Sequence, residues 1–205
     1  MISEMISVSA YILAGGKSSR MGKDKAFLAL GGLTLLDRAL GVARAVAENV
    51  AIIGDAAKFA VHGPVIEDVY RDRGPLGGIH AALSATSTEL NLILGVDLPF
   101  VNADFLRFLL SLAKRCDAAV TVPSTDGRYE PLCAVYRREF VGVAEAALKS
   151  GRNKIDALYD SVSIRKVNAD EIIAHGFSVD MFRNLNAPAD WERAKTEFEN
   201  ASKRL

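Results

Sequence analysis

The residues best suited to chemistry begin at Ala14-Gly15-Gly16, which is followed within nine residues by Lys17, Arg20, Lys23 and Lys25 against a single acid, Asp24. The chain carries 25 basic and 25 acidic residues and a formal net charge of zero, so this is a local excess of cations and points to a bound polyanion. Successive N–H groups in a glycine turn make a concave anion site, and Lys and Arg add point charges and forked donors for phosphate oxygens. The matching carboxylate is Asp97, at the end of the apolar run Asn91–Val96 and held there by Pro99, which ends a strand and keeps Leu98 out of helical geometry. A carboxylate beside a polyphosphate suits Mg²⁺, a hard ion usually held by one or two carboxylates plus phosphates. The competing role for Asp97, capping the next helix, is already filled by Asn102, with Asp104 following it.

A second glycine block, Gly74-Pro75-Leu76-Gly77-Gly78, precedes an apolar helix. Pro75 suits the first helical position, but Gly77 and Gly78 each cost about 1 kcal/mol against alanine inside a helix. Bare backbone at a helix start is what a closely approaching ligand requires. Two familiar phosphate loops are excluded. Gly16 is one residue too far from Gly22-Lys23 for a P-loop, Asp24 stands where that loop needs a hydroxyl, and no Gly-x-Gly-x-x-Gly occurs here. His62, His80 and His175 are scattered without ligand spacing and read as structural or surface residues. Cys116 and Cys133 form no metal clip or disulfide framework, and Gly-x-Ser-x-Gly is absent.

The stretch Leu13, Ala14, Gly15, Gly16, Ser18, Arg20, Met21, Gly22, Asp24 and Lys25 resembles the Leu-Ala-Gly-Gly-x-Ser-x-Arg-Met-Gly-x-Asp-Lys signature of the MobA-type molybdenum cofactor guanylyltransferases. The Gly74–Gly78 block, Asp97-x-Pro99, the Pro-Leu-x-Ala-x-Tyr of residues 131–136 and the Asn-x-Asn of 184–186 resemble the same family, with Ala187 where relatives commonly have Thr. The resemblance implies that Leu13, Ala14 and Gly15, with Gly16, read the base, that Arg20 and Lys25 hold the triphosphate, and that Gly74 and Gly78 lie against guanine and ribose. Asp97 is the implied metal residue and Mg²⁺ the implied cofactor. GTP and molybdopterin are the implied substrates. Asp68, at a strand end, is a candidate nucleotide contact; Asn184, Asn186 and Lys154 are candidates for the acceptor side, although Lys149, Arg152 and Lys154 also fit a solvated helix end.

These residues need a scaffold that brings strand ends together. Val8–Leu13 reads as a first strand stopped by Gly15-Gly16. Ala26–Leu30 is apolar and broken by Gly31-Gly32. Thr34, three residues before Asp37, begins a helix running through Glu48, and Val50–Ile53 is a buried strand. Strand, helix, strand is the start of a parallel sheet. A short helical piece at 56–60, a strand at 64–66, a helix from Pro75 to Ser84, a strand at Asn91–Val96 and a helix at Ala103–Lys114 follow. Ala118–Val122 is a strand, Ser124-Thr125-Asp126-Gly127 a turn, Pro131–Tyr136 a strand and Glu139–Lys149 a helix. Val162–Val167 is a strand followed by a loop, and Asn184 and Asn186 face one side of a strand-like stretch before a final helix. The expected fold is a three-layer α/β/α Rossmann-like nucleotidyltransferase fold with a mostly parallel central sheet. In open sheets of this kind ligands sit at the carboxyl ends of the strands.

A length of 205 residues predicts a single domain, residues 1–205, with a nucleotide-binding half at about 8–100 and an acceptor-binding half at about 101–205. Balanced charge argues against nucleic acid as the main partner, and no apolar run approaches the ~20 residues of a membrane helix. Two cysteines and an N-terminus without a signal-peptide pattern predict the cytoplasm; Met5 is a candidate natural start. The expected reaction is Mg²⁺-dependent transfer of GMP from GTP to molybdopterin, giving the guanine dinucleotide cofactor and pyrophosphate, with Lys25, Arg20 and Asp97 as the catalytic set. Alternatives are a molybdopterin cytidylyltransferase, a sugar-phosphate nucleotidyltransferase, or a non-catalytic adaptor that delivers cofactor. Molybdoenzyme-maturation proteins are candidate partners.

Overall fold

Val8–Leu13 (β1) is six consecutive buried residues, the pattern of a strand covered on both faces. In a computed structural model, which describes residues 7–15, 24–185 and 188–202, β1 is followed by a small hairpin, β2 (Ala29–Leu30) and β3 (Leu33–Thr34), and by helix α1 (Leu35–Arg44). Next come β4 (Asn49–Ile53), α2 (Ala56–Phe59), β5 (Val65–Ile66), α3 (Pro75–Ala85), β6 (Leu90–Gly95) and α4 (Ala103–Ala113). The second half runs β7 (Val120–Thr125), β8 (Arg128–Tyr129), β9 (Cys133–Arg137), α5 (Phe140–Lys149), β10 (Ile164–Asn168), α6 (Ala169–Ala174) and α7 (Pro188–Ser202).

The main sheet has the order β10-β7-β9-β6-β1-β4-β5, with β8 on β7. Only β8 and β9 run against the rest. Register fixes the functional edge. Leu13 of β1 lies opposite Ile53 of β4 and Gly95 of β6, and Ile53 lies opposite Ile66 of β5. Four parallel strands therefore end in one row, and the residues just beyond each emerge side by side.

Side chains alternate between two cores. Ala10, Ile12, Leu92, Leu94 and Val135 pack with α1, α4, α6 and α7, while Tyr11, Leu13, Ile93, Ala134 and Tyr136 pack with α3, α5 and the 3-10 turn Asp156–Ser161. This is the three-layer arrangement with a mostly parallel sheet that the sequence predicts. Two helix starts are capped as their residue types predict. Thr34 accepts from the Asp37 amide at 3.0 Å and donates to its carboxylate, and Asn102 accepts from the Phe105 amide at 2.9 Å.

Several elements differ from the sequence expectation. Ala26–Leu30 is not one run: Lys25–Phe27 is a 3-10 turn, and the Gly31-Gly32 break is a hairpin turn with φ of +58° and +83°, values that glycine adopts without strain. Helix α1 ends at Arg44, short of Glu48, because Asn49 is already in β4. Strand β7 runs on through Ser124 and Thr125, and only Asp126-Gly127, at φ +49° and +74°, make the turn to β8. Strand β9 starts at Cys133 rather than Pro131; proline cannot donate to a ladder. The loop expected after β10 contains α6, capped by Asn168. Val179–Phe182 is a 3-10 turn, and no strand forms at Arg183–Leu185. Asn184 is exposed and Leu185 buried there, and no strand forms among the described residues of this stretch. Asn186 lies outside the described residues.

The Asn102 cap provides a test of this scaffold. Replacing Asn102 with Ala removes an acceptor worth about 1 kcal/mol at a helix start, and for a chain of this size a thermal midpoint lowered by about 2–4 °C is expected in calorimetry.

Candidate functional site

The edge formed by the ends of β1, β4, β5 and β6 is held by backbone bonds. The Ile53 carbonyl accepts from both Ala14 N–H (3.1 Å) and Gly15 N–H (3.2 Å), the Leu13 carbonyl accepts from Val96 N–H (3.1 Å), and Gly54 N–H donates to Ile66 (3.0 Å). The amides of Ala14 and Gly15 are engaged by the Ile53 carbonyl, and the Leu13 carbonyl by Val96. A side chain at Gly54 would meet the Phe59 ring at 2.8 Å, so glycine there lets α2 close against the strand end.

Lys25 opens the 3-10 turn Lys25–Phe27, whose start is capped by the Asp24 carboxylate accepting from Ala26 N–H at 3.2 Å. Asp24 is itself paired with Lys58 of α2 at 3.1 Å. Thus the one acid of the basic stretch fixes the backbone that presents Lys25. Gly16 and Arg20 lie outside the described residues.

Asp97 stands in a tight turn closed by Leu98 N–H to the Gly95 carbonyl at 3.3 Å. One of its carboxylate oxygens lies 2.8 Å from where a side chain on Gly95 would begin. Glycine at the last position of β6 therefore makes the room in which this carboxylate sits. Across the edge, Glu130 follows β8 and is anchored by its N–H to Pro123 (2.9 Å) and by Cys133 N–H to its carbonyl (2.9 Å). Burial pushes the Glu130 carboxyl above its ordinary range, the Thr125 hydroxyl opposes that, and the Asp156 and Asp97 carboxylates push it further up. Two carboxyl side chains that feel each other across an open edge fit the oxygen-donor chemistry of Mg²⁺.

Asp68 follows β5 on the same edge. One of its oxygens is buried without a hydrogen-bond partner, and burial raises its carboxyl above the usual value. Gly74 starts α3 with φ +65° and open space where a side chain would stand. Gly78 is different. A side chain there would lie 3.2 Å from Ile53 and 3.3 Å from Leu13, so its bare backbone is explained by helix-to-sheet packing and not by a ligand. Gly77 is bare because the Tyr70 carbonyl occupies the space, 2.8 Å from where a side chain would start.

On the acceptor side, α5 runs back toward this edge because β9 is antiparallel. Lys149 pairs with Glu145 at 2.9 Å and Arg152 donates to Ser150, which supports the solvated helix-end reading for both. Lys154 is exposed, and Asp156 close by reaches Glu130 electrostatically. Arg183 lies over the Phe100 ring at 4.5 Å, which carries Asn184 to the chain just past Pro99. His62 packs on Phe27, His80 is buried in α3, and His175 packs on Phe108, the structural roles expected of them. Lys58, Gly54, Gly95, Tyr70 and Glu130 were not singled out by the sequence; only Glu130, immediately before the Pro131-Leu132 motif, had a signal near it.

The profile of the MobA-like NTP transferase domain matches residues 10–164. The chain belongs to this family. Among MobA-like relatives, the "probable molybdenum cofactor guanylyltransferase" of Carboxydothermus hydrogenoformans is 34% identical over 190 residues, 92% of this chain and 95% of the relative. The "molybdenum cofactor guanylyltransferase" of Syntrophotalea carbinolica is 32% identical, covering 90% and 89%. In fold, the chain is similar to the crystal structure of molybdopterin-guanine dinucleotide biosynthesis protein A from Archaeoglobus fulgidus, with TM-score 0.84, 24% identity, and 94% and 99% of the two chains covered. It is also similar to 2-C-methyl-D-erythritol 4-phosphate cytidylyltransferase from Thermus thermophilus, with TM-score 0.71, 20% identity, and 94% and 99% covered. The carboxyl edge of this MobA-like domain, with Asp68, Asp97 and the glycine loop on it, is therefore the candidate active site.

Asp68 ties the site to stability. Its folded carboxyl holds a proton above the ordinary value of 3.8, whereas the unfolded chain releases it at that value, so this residue's contribution to stability falls as pH rises through the window just above 3.8. Asp68→Asn is expected to flatten that part of the pH–stability curve and to keep or raise the thermal midpoint at neutral pH. If Asp68 contacts nucleotide, the same variant weakens nucleotide binding about tenfold. A second variant, Gly95→Ala, is expected to remain folded and to lose most transfer activity, because the new methyl displaces the Asp97 carboxylate; circular dichroism and turnover check it together.

Proposed function

We propose that this chain transfers GMP from GTP to molybdopterin, producing the guanine dinucleotide form of the molybdenum cofactor and releasing pyrophosphate. The observation that carries the reading is the placement of Asp97 in the row of strand ends from which the glycine loop also leaves. The names of the MobA-like relatives supply the nucleotide and the acceptor. An acceptor phosphate is already anionic, so the reaction needs little acid–base help; it needs like charges brought together and the charge on the leaving pyrophosphate stabilised.

Lys25, on its Asp24-capped turn, and Arg20 bind the triphosphate and neutralise the departing group. Asp97, with Glu130 beside it, is the residue to hold Mg²⁺, which when bound supplies charge neutralisation between phosphates. Asp68 and the carbonyls of Ala14 and Gly15 are acceptors, and a guanine base presents N–H donors to such groups. Cytosine presents an amino donor to the same groups, so the choice of GTP over CTP rests on the names of the relatives. Lys154, Asn184 and Asn186 line the acceptor side. A cytoplasmic location, with Cys116 and Cys133 as free thiols, completes the proposal, and handover to molybdoenzyme-maturation proteins would follow product formation.

Pyrophosphate release from each of the four nucleoside triphosphates, with and without molybdopterin and Mg²⁺, tests the reading. Release with GTP that depends on molybdopterin and Mg²⁺ is expected, and Asp97→Asn should lower it roughly 100-fold or more, the scale for losing a group that stabilises transition-state charge. Release with CTP, or with a sugar phosphate replacing molybdopterin, would overturn the substrate assignment. Binding without release from any nucleotide would make the chain a delivery adaptor.

A further inference from the structure

Pro131 and Tyr136, the first and last residues of the Pro-Leu-x-Ala-x-Tyr run, are joined in the fold. The Tyr136 side chain is fully buried, and its hydroxyl donates to the Pro131 carbonyl at 2.9 Å. That carbonyl precedes the ladder of β9, which starts at Cys133. A hydroxyl has one proton to give, so the Tyr159 hydroxyl, 3.0 Å away, is the donor to Tyr136. Tyr159 comes from the 3-10 turn Asp156–Ser161 and sets its ring edge-on against Tyr129, with centroids 5.0 Å apart and planes at 90°. Burial pushes both phenols above their ordinary range, so both keep their protons.

This pair of hydroxyls secures a turn beside Asp97. Glu130 N–H donates to the Pro123 carbonyl and Cys133 N–H to the Glu130 carbonyl, both at 2.9 Å, which closes residues 130–133 around Pro131. The Leu132 carbonyl takes Gly95 N–H at 2.7 Å. Leu132 and Asp97 then border the space left bare at Gly95: a side chain there would begin 3.3 Å from Leu132 Cβ and 2.8 Å from an Asp97 carboxylate oxygen. We propose that Tyr136, supported by Tyr159, is a positioning residue for the Asp97 carboxylate: its hydroxyl fixes the Pro131 carbonyl, and the turn so fixed sets Leu132 as the wall against which that carboxylate is held. The inference rests on the proposed function in taking Asp97 as the metal carboxylate. Without the hydroxyl, part of the metal's binding free energy is used to order the turn and the carboxylate, while the groups that hold GTP are untouched.

The decisive variant is Tyr136→Phe with Tyr159→Phe, which keeps both rings and leaves neither hydroxyl to reach Pro131. Mn²⁺ is the probe, titrated by electron paramagnetic resonance into protein saturated with a non-hydrolysable GTP analogue. Its dissociation constant should rise about fivefold, within the range for one net hydrogen bond. The Mg²⁺ concentration for half-maximal pyrophosphate release should rise by the same factor, with GTP affinity in the absence of metal unchanged. Amide exchange at Cys133, whose N–H closes the turn, should quicken. Tyr159→Phe alone keeps the bond to Pro131 and should stay within about twofold of wild type, and in an Asp97→Asn background the two substitutions should cost nothing further. Wild-type Mn²⁺ affinity in the Tyr136→Phe, Tyr159→Phe protein, even with a lowered thermal midpoint, would mark a purely structural contact and overturn the proposal. Further loss on top of Asp97→Asn, or a loss in Tyr159→Phe as large as in the double variant, would do the same. Wild-type Mn²⁺ affinity in Asp97→Asn would overturn the metal reading and this proposal with it; a loss there with none in the tyrosine variants would overturn this proposal alone.

Discussion

The Ile53 carbonyl, taking two amides from Ala14 and Gly15, is the contact on which the rest of the site depends. It extends the ladder between β1 and β4 past the end of both strands and decides where the glycine loop departs. The Leu13 carbonyl does the same toward β6 through Val96. Between them these bonds fix the end of β1 from both sides, so the loop, the Asp97 turn and the Asp68 loop are held relative to one another by backbone geometry. Side chains need only be short to meet in such a frame, and two of the acids, Asp68 and Asp97, are.

The arrangement leaves the protein with groups that folding does not satisfy. A buried Asp68 oxygen has no partner, and burial, with the neighbouring Asp156 and Asp97 carboxylates, raises the Glu130 carboxyl above its ordinary range. Each is unfavourable for stability taken alone, and each is of the kind that a cation or a donor-rich ligand would relieve. The two packed cores on either side of the sheet offset that cost, which is how a folded chain can keep a strained carboxylate edge in readiness for ligand.

Much of this was legible in the sequence. The continuous apolar runs of β1 and β6, the Thr34 and Asn102 caps, and the acid placed directly after a strand led to a parallel sheet with Asp97 at its carboxyl edge. What was hidden depends on residues distant in sequence. Gly78 looks from sequence like a ligand-facing glycine, and only the approach of Leu13 and Ile53 shows it to be a packing position. The antiparallel direction of β9 is set by its partners β6 and β7, not by its composition. Asn184 reads from sequence as part of a strand-like stretch, but the described residues 183–185 form no strand.

The two margins of the sheet have a further consequence. Strand β5, at one margin, is two residues long, and β10, at the other, shows Arg165 and Lys166 to its surroundings, with Arg165 paired to Glu171. A sheet of this width offers unpaired amides and carbonyls at both margins, the template by which copies of a chain stack into aggregates. One margin is too short to template such growth and the other is electrically guarded, so the molecule can keep a wide parallel platform for ligands while discouraging its own polymerisation.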